Sequence, residues 1–103
     1  MKPSNDSAHP PDRLAEVRSD IDRLDQALVE LIRDRTRLAC RAAASKRADG
    51  RALRDTGREA EVVRRAARRA RDLGVDDERV REFFWRLIDL SHATVAQAES
   101  SRG

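Results

Sequence analysis

From Leu14 onward, apolar residues fall at Leu14, Val17, Ile21, Leu24, Leu28 and Leu31, and again at Leu38 and Ala42. The steps alternate between three and four, the spacing that lines side chains along one stripe of an α-helix and, when sustained, forms a heptad seam. Neither proline nor glycine interrupts the pattern before Gly50. One helix of about 35 residues is predicted, near 50 Å long at ~1.5 Å per residue. It is roughly three times the usual helix length. So short a chain cannot cover such a stripe unless other helices line it throughout, and a partner chain is the simpler cover. Segment 48–57, with Gly50 and Gly57, reads as a loop. Two starts for a second helix stay open: Asp55 as N-cap, or Thr56 paired with Glu59 in a capping box. Val62, Val63, Ala66, Ala67 and Ala70 give that helix its stripe to about Asp72, and Gly74 falls at the C′ position that ends it. Asp76 and Asp77 open a third helix, expected to bury Val80, Phe83, Phe84, Leu87, Ile88, Ser91 and Val95 and to fray near Glu99.

The fold class is therefore all-α, with one long, one short and one medium helix. The chain has 103 residues, the size of one domain. Residues 1–11 hold Pro3, Pro10 and Pro11 among polar neighbours and are expected to be a disordered tail, as are 100–103, which leaves 12–99 as the folded domain. Charged residues make up 40% and aromatics 3%; with few glycines and β-branched residues, this argues against a sandwich or barrel. No run approaches eighteen apolar residues, so no membrane span is expected. The first residues lack the apolar core of a secretory signal, and the single Cys40 suits a reducing, cytoplasmic setting. Cys40, His9 and His92 provide no ligand pair at zinc spacing, and none of the three is given a role.

Charge is nearly balanced, 22 basic against 19 acidic residues. Residues 46–71 concentrate ten Lys/Arg against four Asp/Glu, including Arg64, Arg65, Arg68, Arg69 and Arg71. Such a patch raises the alternative of a basic helical nucleic-acid binder. No aromatic residue interleaves with these arginines and the net charge is only +3, so nucleic acid is not the expected partner.

The seam of the long helix contains one misfit. The position between Leu31 and Leu38 that the alternation reserves for an apolar residue is Arg35. A buried arginine requires an anion. Lys46, one of only two lysines, lies eleven residues later, about 20° from the azimuth of Arg35. Both side chains thus project from one face and are placed to converge on one anion. Arg18 lies about 100° away in azimuth and roughly 25 Å along the helix, out of reach of the same pocket from its own chain but within reach from an antiparallel partner. Each residue also has an ordinary reading. Arg18 pairs with Asp22 at i, i+4, Arg35 snorkels, Lys46 favours the helix dipole, Glu59 completes a capping box, and Ser91 is a small core residue.

Taken together, these residues resemble the all-helical (AroQ-type) chorismate mutases. The first helix matches that family's opening pattern at Leu14, Arg18, Ile21, Asp22, Leu24 and Asp25. Its next arginine context falls on Ile32, Arg35 and Leu38, and its helix-ending lysine on Lys46. Its D-x-x-R-E motif falls on Asp55, Arg58 and Glu59, and its late serine on Ser91. The resemblance covers about residues 14–98. It implies an intertwined homodimer with two shared pockets, each taking Arg18 from the partner, and the rearrangement of chorismate to prephenate in shikimate-derived aromatic biosynthesis. It further implies Arg18, Arg35 and Arg58 as carboxylate clamps, Lys46 as donor to the ether oxygen, Glu59 and the region of Asp55 at the C4 hydroxyl, and Ser91 as a carboxylate donor. Lys46, Arg35 and Glu59 are the implied catalytic set. No cofactor or metal is implied, because the reaction is pericyclic. One position departs: where the family has Gln or Glu one turn beyond the serine, this chain has Val95. Two relatives of the reaction therefore remain as alternatives, rearrangement of 4-amino-4-deoxychorismate and elimination of pyruvate from isochorismate. A third alternative is a regulatory dimer that has lost catalysis and is activated by a shikimate-pathway partner enzyme.

Overall fold

The computed structural model describes residues 12–102 as three α-helices: α1 (Arg13–Ala48), α2 (Thr56–Asp72) and α3 (Asp77–Arg102). No strand occurs among the described residues, and none of the helices is long and apolar enough to cross a membrane. The expected tail 1–11 lies outside the described residues, as does Gly103. The chain divides into two units, Met1–Leu31 and Ile32–Gly103.

In the first unit Asp12 caps α1, its Oδ1 accepting from the Ala15 N–H at 3.1 Å, and Glu16 adds negative charge to the first turn. The predicted stripe stands uncovered in this chain. Its six large residues range from 49% exposed at Ile21 to 66% at Leu24.

In the second unit α1 ends at Gly50, whose φ of +68° only glycine adopts without penalty. Gly50 N–H donates to Arg47 O at 3.1 Å and Arg51 N–H to Lys46 O at 2.8 Å, the paired bonds of a Schellman motif. Gly74 repeats the device at the end of α2, with φ +75°, Gly74 N–H to Arg71 O at 3.1 Å and Val75 N–H to Ala70 O at 2.8 Å. Asp76 then caps α3 through Oδ1, which accepts from Glu78 N–H at 3.0 Å and Arg79 N–H at 3.2 Å, while Arg71 and Asp77 pair across the corner at 2.9 Å. The short connection makes α2 and α3 a helical hairpin whose helices pack directly on each other.

The core of this unit is small. Val63, Ala67 and Ala70 of α2 are buried, with Leu87, Ile88 and Ser91 of α3 and Ala43 of α1. Of the stripe expected to be buried on α3, Val80, Phe84 and Val95 are only partly covered, and two further expectations change. Phe83 is half exposed, because it lies roughly 90° from the azimuth shared by Leu87, Ile88 and Ser91, and its ring instead meets the edge of Phe84 at 5.9 Å. The helix also runs to Arg102, through the expected fraying point at Glu99 and into the segment 100–103 expected to be disordered. No glycine or proline stops it, Glu99 forms an ion pair with Arg47 at the end of α1, and Ser101 Oγ donates to Gln97 O at 3.2 Å.

Candidate active site

Where the second half of α1 faces the α2–α3 hairpin, the second unit encloses a pocket of about 220 Å³. Six of the eight residues singled out from the sequence line it: Arg35 and Lys46 from α1, Arg58 and Glu59 from α2, Ser91 and Val95 from α3. Alanines of α1 with Val62 and Ile88 provide an apolar lining between them. Arg35 and Lys46 do share one face of α1, as their spacing requires.

The other two are placed differently. Asp55 is not in the pocket wall; it is the N-cap of α2, and its Oδ1 accepts from the Arg58 N–H at 3.0 Å. That geometry decides between the two starts left open for this helix. Thr56 is the first helical residue, so Glu59 sits one position beyond a capping box and its side chain is not spent on capping the helix. Arg18 belongs to the first unit, where its side chain is exposed.

Each polar group in the pocket is held by a neighbour. Arg35 Nη1 donates to Ser91 Oγ at 3.0 Å, and Ser91 Oγ donates in turn to Leu87 O at 3.3 Å. Lys46 Nζ donates to the carbonyl of Leu53 at 3.0 Å, which leaves two of its three N–H bonds uncommitted. Arg58 Nη1 bonds Glu61 Oε1 at 3.1 Å on its own helix. Glu59 is buried and doubly engaged. Arg54 Nη2 donates to its Oε1 at 2.8 Å and Arg54 Nε to Oε2 at 3.4 Å, while His92 Nε2 donates to Oε2 at 2.8 Å. The hydrogen bond from Arg54 holds the Glu59 carboxyl below the usual carboxylate range; burial opposes this, and the bond from His92 reinforces it. Glu59 is thus an ionised, acceptor-only group at neutral pH. Arg54 is pushed up in turn by the same carboxylate.

Arg54 and His92 were invisible as site residues in the sequence. Arg54 precedes the N-cap in an irregular segment, where no periodicity assigns a direction. His92 is 33 positions from Glu59, and only its i+4 and i−3 relation to Ile88 and Val95 signals the pocket face. The chemistry of the whole is that of a small anion receptor: three cations, one carboxylate and a hydroxyl around an apolar lining.

Comparison with known protein families matches residues 17–94 to the family described as chorismate mutase type II. A search of curated proteins found no match.

Proposed function

Because the chain belongs to the chorismate mutase type II family, we propose that this pocket binds chorismate and rearranges it to prephenate in aromatic biosynthesis. The observation that carries the reading is the pocket's polarity, with Arg35, Lys46 and Arg58 set against the carboxylate of Glu59. Chorismate brings two carboxylates and one hydroxyl, and this arrangement meets all three. Arg35 and Arg58 pair with carboxylates through their planar forks. Ser91 joins them by releasing its weak 3.3 Å bond to Leu87. Glu59 accepts from the C4 hydroxyl. Lys46, oriented by the Leu53 carbonyl, directs a remaining N–H to the ether oxygen.

The reaction breaks the ether C–O bond as a C–C bond forms between the enolpyruvyl methylene and the ring. It is concerted, and the protein forms no bond to the substrate. The work left to the residues is to hold the two ends in contact and to stabilise negative charge growing on the ether oxygen. Arg18 completes the site from a second copy of the chain, whose exposed α1 stripe pairs with its equivalent in an antiparallel homodimer.

Prephenate formation by the purified protein tests the reading. Arg35→Ala and Lys46→Ala are each expected to lower kcat/KM by at least about 10²-fold, the scale of one preorganised donor, with thermal unfolding close to wild type. Near-normal turnover in either folded variant contradicts the assignment.

A further inference from the structure

Among the described residues Glu59 is the only carboxylate lining the pocket, and its charge is matched before any ligand arrives. Arg54 reaches it from the α1–α2 connection with a two-nitrogen contact, and His92 reaches it from α3. Arg35 and Lys46 face the same space from α1 and Arg58 from the first turn of α2, and the Asp89 carboxylate adds a small Coulombic contribution at Arg54. Glu59 is therefore neutralised by Arg54, and the other charged residues of the pocket lining, Arg35, Lys46 and Arg58, are cations.

We propose that Arg54 and His92 are positioning residues that clamp Glu59 so that the pocket selects a neutral hydroxyl over an ammonium at C4 of the substrate. The proposal rests on the chorismate reading above and deepens it. With the two substrate carboxylates taken by Arg35, Lys46 and Arg58, the C4 substituent meets Glu59. A hydroxyl donates to the carboxylate and adds no charge. An ammonium adds a cation beside a guanidinium that has already neutralised the carboxylate. The two like charges repel through a medium of effective dielectric about 20, weakened because Arg54 is largely exposed. The His92 bond restrains Oε2, and both residues line the pocket.

The test compares binding and kcat/KM for chorismate and 4-amino-4-deoxychorismate across wild type, Arg54→Gln, Arg54→Lys, His92→Gln and His92→Leu, with thermal unfolding recorded for each. Wild type is expected to prefer chorismate by about tenfold or more. Arg54→Gln shrinks that preference at least about fivefold, and Arg54→Lys, which restores the charge, retains it. Arg54→Gln also moves the acid limb of the pH profile toward neutrality, since Glu59 loses its main ionising partner. His92→Gln keeps a donor and stays within about threefold of wild type on chorismate, whereas His92→Leu falls about tenfold. If chorismate is converted but a folded Arg54→Gln leaves the preference unchanged, the clamp is refuted and the activity stands. A wild type that favours the amino compound also refutes it. If wild type neither binds nor converts either compound, the chorismate reading fails and the clamp with it.

Discussion

Val95 stands in the pocket wall one turn beyond Ser91 and offers no hydrogen bond. On the chorismate reading, Lys46 alone then stabilises the ether oxygen as its C–O bond breaks. A second donor at such a site is worth on the order of 3 kcal/mol. Val95→Gln is therefore expected to raise kcat on chorismate about tenfold or more, with little change in stability because the side chain is only half-buried. Steady-state kinetics with a melting curve checks both parts; an unchanged or lower kcat in a folded variant contradicts it. At this scale, legibility followed helix periodicity. Arg35 and Lys46 were readable because one regular helix converts an eleven-residue spacing into a shared face. Arg54 and His92 were not, because their common partner Glu59 is fixed by a loop path and by helix packing, neither of which leaves a periodic trace.

The helices themselves were largely readable because their ends carry strong local chemistry. Gly50 and Gly74 both sit at positive φ in Schellman motifs, and Asp55 and Asp76 both cap. The exception is the end of α3, which has no stop residue and is held by Arg47 and Glu99, two residues far apart in sequence. Phe83 shows the same limit on the flank of a stripe, where periodicity does not say how wide the buried face is. The two kinds of glycine in the chain make the capping argument testable. A Cβ at Gly74 meets nothing within 4 Å, so Gly74→Ala costs only the left-handed backbone, about 1–2 kcal/mol. Gly57 lies inside the first turn of α2 with ordinary helical φ, and its Cβ would meet only Asp55 Oδ1 at 3.5 Å. Gly57→Ala is expected to gain about 0.5–1 kcal/mol. Thermal unfolding followed by circular dichroism should move the midpoint in opposite directions for the two changes.

For the molecule as a whole, the dominant feature is apolar surface without cover. Leu14, Val17, Ile21, Leu24, Leu28, Leu31 and Leu38 are all about half exposed or more, while the buried apolar set among the described residues is six, three of them alanine. A chain of this size with so little core gains most from association. Light scattering or sedimentation is expected to give about twice 11.7 kDa. On the shared-site reading, Arg18→Ala mixed with Arg35→Ala should recover part of the lost activity, because a hybrid pair would contain one intact pocket. A stable folded monomer at micromolar concentration, or no recovery after confirmed subunit exchange, contradicts the shared site. The alanines carry a separate consequence. Ala67 is wholly shielded on α2, which packs against α3, and side chains this small let two helices approach closely. Ala67 therefore acts as a spacer gauge, two turns along α2 from Glu59. Ala67→Val is expected to cost about 1–3 kcal/mol as the helices part. The same separation stretches the 2.8 Å span between Glu59 and His92. Turnover measured well below the new melting point should consequently fall too: a methyl-scale change in packing, remote from any substrate atom, becomes an error of alignment in the pocket.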